Sequence, residues 1–206
     1  MISFFWFGAL KAQNAAEVFA NEENISHEIW LSGFLQDSSK FSFFNYTRFK
    51  VDYNDSKSNQ FLSYSTLNYE LGKGFGIASG GYITNQGFAP VVALSYFYQD
   101  DTWQFNVFPS YVFGNNETIE IFLFAQYRSK LTNKFRLFSQ LIINTNFTFD
   151  QHNFSEQNLR IGLDYRSFKF GIGADLTQVP TFENEGFHSQ KTVLNHNIGL
   201  FIRKEF

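Results

Sequence analysis

Eight charged residues in the C-terminal part of the chain, Arg128, Lys130, Arg136, Arg160, Asp164, Lys169, Arg203 and Glu205, stand at alternate positions in segments whose other positions are largely apolar. In extended backbone, residues at alternate positions share a face, so each charge would project opposite its apolar neighbours. Six cations and two carboxylates on one such wall can line a water-filled constriction that favours anions, or can pair off as a polar plug if the space is narrow. Catalysis needs a nucleophile held beside a base, and the four histidines, His27, His152, His188 and His196, lie in no recognisable motif. His188-Ser189 with His196 and Glu183 is the nearest approach to a Ser/His site, and its residue types are equally those of a solvated loop. Asp150 with His152, or Glu183 with Glu185, falls short of the six to eight oxygens that Ca²⁺ takes. No thiolate site is possible without cysteine, and Gly72-Lys73-Gly74-Phe75-Gly76 reads as a hairpin turn rather than a phosphate loop. A non-enzymatic chain without metal or cofactor is expected.

The segments that must position these charges alternate with period two. Over 117–131, Ile119, Ile121, Leu123, Ala125 and Tyr127 oppose Glu120, Gln126 and Arg128. Over 134–149, Phe135, Leu137, Leu141 and Ile143 oppose Arg136, Gln140, Asn144 and Asn146, and over 157–167 Leu159, Ile161, Leu163 and Tyr165 oppose Asn158, Arg160, Gly162 and Asp164. After Arg166-Ser167 the parity flips, as a two-residue hairpin requires, so Phe168, Phe170, Ile172, Ala174 and Leu176 oppose Lys169, Gly171, Gly173 and Asp175. This register sets Asp164 across from Lys169, and the inward glycines 162, 171, 173 and 199 would leave space inside. Further strands are read at 27–35, 40–53, 59–71, 75–85, 89–99, 103–113, 168–178 and 193–206. In the N-terminal half the faces blur, because Phe44, Leu62 and Tyr64 sit where polar residues are expected.

The chain has 206 residues, 20% of them aromatic, with 29 Phe, 10 Tyr and 3 Trp. That is more rings than a soluble core of this size can hold, yet mean hydropathy is only −0.23. No run approaches the 18 or so apolar residues of a spanning helix. A closed barrel is the other way to satisfy every backbone group in lipid. The expected fold is all-β: an antiparallel up-and-down transmembrane β-barrel of about 12 strands, with ten as the alternative. Eleven strands are legible, and an even number requires either a twelfth within residues 1–26 or the loss of 27–35. Tight turns at Asp37-Ser38-Ser39, Gly72-Lys73-Gly74, Asp100-Asp101, Thr132-Asn133 and Arg166-Ser167 alternate with looser connections, the longest Val179 to Thr192. The tight set is expected at the periplasmic end. Trp30, Trp103, Tyr53, Tyr69, Tyr165 and Phe206 are candidate interface anchors. Residues 1–12 read as a signal peptide without its basic start, or as a strand from Ile2 to Leu10. Residues 13–26 read as a polar lead-in with a possible short helix around Ala15 to Ala20, and 27–206 as the barrel. Net charge of −3 offers nothing to nucleic acid.

At the chain end Phe206, Ile202, Leu200 and Ile198 share one face, opposite Glu205, Arg203, Gly199 and Asn197. A terminal strand of this kind, closing on Phe, resembles the assembly signal of bacterial outer-membrane barrels. That resemblance implies an outer-membrane location, with membrane lipid and the barrel assembly machinery as partners. The passage Asn158 to Asp175, followed by Asn197-Ile-Gly-Leu-Phe-Ile-Arg-Lys-Glu-Phe, looks like the closing strands of porin-like proteins of Bacteroidota. It implies a barrel without an established substrate and no catalytic residue. The expected function is a passive, weakly anion-selective channel for small solutes. The alternatives are a non-conducting barrel serving as a surface-binding or envelope-complex subunit, with Val179 to Thr192 as contact loop, and more remotely a lipid-modifying enzyme.

Overall fold

A strand with one apolar and one polar face must bury its edges as well as its faces if it is to stand in lipid, and closure of the sheet on itself is what achieves this. In the computed structural model of this protein, which describes residues 14–36, 39–114, 117–149, 151–182 and 190–206, twelve antiparallel strands form one closed barrel. They are β1 (Ala15–Asn21), β2 (Asn24–Phe34), β3 (Phe41–Asp52), β4 (Gln60–Gly72), β5 (Phe75–Thr84), β6 (Gly87–Gln99), β7 (Trp103–Val112), β8 (Thr118–Lys130), β9 (Arg136–Phe147), β10 (His152–Tyr165), β11 (Phe168–Phe182) and β12 (Gln190–Glu205). Each pairs with its neighbours in sequence, and β1 closes on β12.

The twelfth strand is β1, so the stretch read as a polar lead-in, 13–26, is corrected: it carries β1 and the start of β2. The short helix considered there is a strand instead, because β2 and β12 offer ladders on both sides of Ala15–Asn21 and outweigh its modest helix propensity. The proposed signal segment 1–12 and its alternative strand lie outside the described residues, as do Asp37 and Ser38 of the first tight turn.

The connections β2–β3, β4–β5, β6–β7, β8–β9 and β10–β11 lie at the end that holds Ala15 and Glu205, called here the terminus end; the others lie at the loop end. Lys73 and Arg166 take left-handed φ of 55° and 59°, which lets their two-residue turns follow the twist of the flanking strands. β10 begins five residues earlier than alternation indicates: Phe154 to Glu156 continue its ladder with β9 in unchanged register, and a register shift between His152 and Phe154 adds the first two.

Outward residues form an apolar wall edged with rings. At the terminus end Phe41–Tyr69, Phe75–Tyr96, Trp103–Tyr127 and Phe135–Tyr165 pair at centroid distances of 5.0, 4.8, 4.6 and 5.1 Å. At the loop end Phe49–Phe61 and Tyr111–Phe113 do so at 4.8 and 4.9 Å. Two such girdles bound the apolar band of an outer-membrane barrel. Trp30 is not among them: it is buried inside, its ring 4.3 Å from the Arg203 guanidinium.

Candidate functional site: a filled, divided lumen

Cross-strand pairing lines up one continuous row of charged partners on the inner wall. Lys130 faces Arg136, Arg136 faces Asp164, Asp164 faces Lys169, Lys169 faces Arg203, Arg203 faces Glu17, Glu17 faces Glu28 and Glu28 faces Arg48. The row begins at the terminus-end rim with the last residue of β8. It ends deep in β3, because strand stagger carries a lateral row down the barrel.

These groups pair off. Glu17 is fully enclosed, accepting from Arg160 Nε at 2.8 Å and from Arg203 Nε and Nη2 at 2.8 and 2.5 Å. Arg160 Nη1 donates to Asp175 at 2.7 Å, and its Nη2 stands 3.8 Å from Glu28. Arg203 also donates to Gln140. Across the lumen Arg48 holds Glu156 through two bonds of 2.5 and 2.7 Å, the parallel fork that guanidinium and carboxylate favour. Nearer the rim Glu205 takes Arg128 at 2.6 Å and Lys169. Phe19 and Phe138 sandwich the guanidiniums, with ring centroids 4.0 Å from Arg160 and 5.2 Å from Arg203.

Every one of Arg128, Arg136, Arg160, Asp164, Lys169, Arg203 and Glu205 is on the inner wall, with Lys130 exposed at its rim. The expected excess of positive charge does not survive. Glu17, Glu28, Glu120, Glu156 and Asp175 are buried on the same wall, so the lumen is close to charge-balanced. Glu17 lay in the supposed lead-in and Glu156 in a supposed loop; Glu120 and Asp175 alternate inward in sequence but sit deeper than the rim cluster. The inward glycines do not leave free space either. A Cβ on Gly173 would meet Phe19 at 2.7 Å and Arg160 at 2.8 Å, and one on Gly162 would meet the Phe170 carbonyl oxygen at 2.1 Å. They admit a guanidinium and a close neighbouring strand.

The other half of the lumen is aromatic. Phe44, Tyr46, Tyr64, Tyr82, Phe108, Phe122 and Phe124 from β3, β4, β5, β7 and β8 pack with Val91 and Ile142, and Leu62 lies against them. Phe44 stacks on Phe108 at 5.7 Å and Tyr64 on Tyr82 at 4.5 Å. The Tyr82 hydroxyl donates to Glu120. Between these layers, among the described residues, lie cavities of about 30 and 10 Å³, room for one or two waters.

Two larger spaces open at the terminus end. One, of about 620 Å³, is lined by Arg128, Lys130, Lys134, Arg136 and Arg166 with Asp164 and Glu205. Arg136 there donates to the Asp101 carbonyl at 2.8 Å. The other, of about 470 Å³, is a vestibule whose floor is Phe44 and Phe108. At the loop end His152 Nε2 stands 2.7 Å from Ser155 Oγ, and Thr145 Oγ1 is 2.6 Å from the same hydroxyl. Sequence spacing did not single out this contact, since Ser155 meets His152 only through the register shift. The His188-Ser189 pair, Asp150, Glu183 and Glu185 lie outside the described residues, and His196 is an exposed strand residue. No group of His, Asp and Glu that could hold a metal occurs among the described residues.

No protein-family model and no curated protein sequence matches the chain. Solved structures do. The NanC porin is 10% identical over 95% of this chain and 99% of its own, with a TM-score of 0.54. The KdgM porin is 9% identical over 94% and 99%, at 0.49. An outer membrane channel from Pseudomonas putida F1 is 11% identical over the whole of both chains, at 0.44. At such identities the likeness is one of fold, and the first of these carries it. With its apolar exterior, ring girdles and closed twelve-stranded wall, the chain has the fold of a small porin-like barrel of the bacterial outer membrane.

Proposed function

We propose that the protein is a small outer-membrane channel whose lumen is closed, in the conformation described, by its own side chains. On this reading small solutes enter through the terminus-end mouth, where a weak preference for anions arises. The observation that carries it is the row of charged partners from Lys130 to Arg48. Ionisable groups at membrane depth are costly and mark solute paths by default. A barrel serving only as an anchor could fill its interior with apolar layers, as this one does on its aromatic side. Anion preference belongs to the mouth rather than the middle. Arg128, Lys130, Lys134, Arg136 and Arg166 there outweigh Asp164 and Glu205, whereas deeper in the lumen Arg48, Arg160, Lys169 and Arg203 are met by Glu17, Glu28, Glu120, Glu156 and Asp175.

Single-channel recording in a planar bilayer under a salt gradient tests this. Discrete steps are expected, with a small reversal potential of anion-selective sign that moves toward zero when Arg128, Lys130 and Arg136 are changed to Gln together. A folded, heat-modifiable barrel that stays silent removes the proposal. The second reading, a non-conducting subunit of an envelope complex, is favoured by the close filling of the lumen and would then stand. In either case the reading includes insertion by the barrel assembly machinery through Ile198, Leu200, Ile202 and Phe206. These side chains are 53 to 70% exposed on the outer wall. Kinship with the porin-like proteins of Bacteroidota rests on the segments 158–175 and 197–206 alone.

A further inference from the structure

The ladder between β6 and β7 runs in constant register from Val91–Val112 to Gln99–Gln104, but the rungs Leu94–Pro109 and Ser95–Phe108 are missing. Both losses trace to one atom. Pro109 has no N–H to give the Leu94 carbonyl, and in an antiparallel ladder that single bond belongs to both rungs. Proline is otherwise kept to edges and bulges of sheets, and this one stands mid-strand in a membrane wall.

Cavities flank the gap on both sides. Outside, a groove of about 760 Å³ is lined by Leu94 and Pro109 themselves, with Leu67, Ile77, Val92 and Tyr111. Inside, Ser95 and Phe108 line the terminus-end vestibule of about 470 Å³, within the range of ligand-sized pockets. The missing outer rung therefore opens on lipid and the missing inner rung on the vestibule. Over roughly 7 Å of strand the seam is held by one ladder bond instead of two, the Leu94 N–H to the Pro109 carbonyl that the Ala93–Ser110 rung requires. Such a gap passes one hydrocarbon chain, not a pair. The vestibule is itself amphipathic. Phe44, Phe97 and Phe108 line its apolar side, while Ser32, Asn68, Gln104 and Asn106 line the polar side and Lys73 and Glu70 stand at its rim.

We propose that the β6–β7 seam is a lateral portal through which a single-chain amphiphile, an apolar tail with a carboxylate head, passes between the surrounding bilayer and the vestibule. The tail enters between Leu94 and Pro109, and the head comes to rest toward Lys73. This route bypasses the filled middle of the barrel and does not require ion conduction.

The test uses the full chain folded into phosphatidylethanolamine–phosphatidylglycerol vesicles containing a diazirine-bearing palmitic acid. After irradiation, labelled residues are mapped by mass spectrometry. Labelling of inward Ser95, Asn106 or Phe108 is expected alongside outward Val92 and Leu94. Pro109→Val, which restores the missing donor, should cut the inward labels at least fivefold and leave the outward ones in place. Pro109→Ala is the second variant, and heat-modifiability on gels verifies that each is folded. Wild-type labels confined to outward residues would overturn the portal. Inward labels unchanged in both variants would also overturn it, since entry would then be through the open mouth. A diacyl phospholipid carrying the same diazirine should label outward residues only, and equal inward labelling by it would overturn the single-chain assignment.

Discussion

Glu17 carries more of the lumen's charge than any other carboxylate, since Arg160 and Arg203 both depend on it. Changing it to Ala leaves Arg160 with Asp175 and Glu28 and Arg203 with an amide. Removing one partner of a fully buried ion pair costs about 3–5 kcal/mol. A loss of that size in urea unfolding from vesicles is expected for Glu17→Ala, and a change under about 1 kcal/mol would refute the network. Tyr82→Phe removes the hydroxyl that donates to buried Glu120, and a smaller cost of about 1–3 kcal/mol is expected in the same measurement. Glu17 also shows why residue-level reading stops short. Its partners lie 143 and 186 positions away, and which side chains meet across a barrel depends on stagger, which local alternation does not encode.

Among the elements, the C-terminal strands were legible because their two faces differ in kind. Charged and apolar residues alternate through β8 to β11, and the two-residue Arg166-Ser167 turn sets Asp164 opposite Lys169, as the register shows. In β3 and β4 both faces are apolar: Phe43 and Leu67 point outward while Phe44 and Tyr64 point inward, so no contrast marked the core. β1 escaped because its inward Glu17 reads as a solvent-facing residue. Turn chemistry gives a pH test at this scale. The Asp100 carboxyl in the β6–β7 turn is held below the usual aspartate value by the Trp103 N–H, the Tyr98 hydroxyl and the Thr102 N–H, each at 2.7 Å. Its contribution is fully present above the unfolded aspartate pKa of about 3.9 and is lost as pH falls through the lowered folded value. The difference in urea midpoint between the native chain and Asp100→Ala should therefore shrink on acidification through that window; a difference that grows would contradict it. Gly173→Ala, pressing on Phe19 and Arg160, should cost about 1–3 kcal/mol as overpacking.

For the molecule as a whole, closure hangs on the shortest strand. β1 pairs with β12 over only Ala15 to Asn21 and Gly199 to Glu205, and deleting residues 15–21 should abolish the compact, heat-modifiable form on gels. The ion pairs follow the same seam. Arg203 belongs to β12 and Glu17 to β1, so a chain made from its N-terminus exposes the carboxylate well before it receives the matching guanidinium. Until then Glu17 lacks a counter-charge on one side, and an unfinished barrel that enters lipid carries that imbalance with it. A truncated chain lacking β12 is thus penalised electrostatically as well as by its open edge. The seam strands thus share a charge pair as well as a ladder, so that closing the sheet and neutralising its interior are one event.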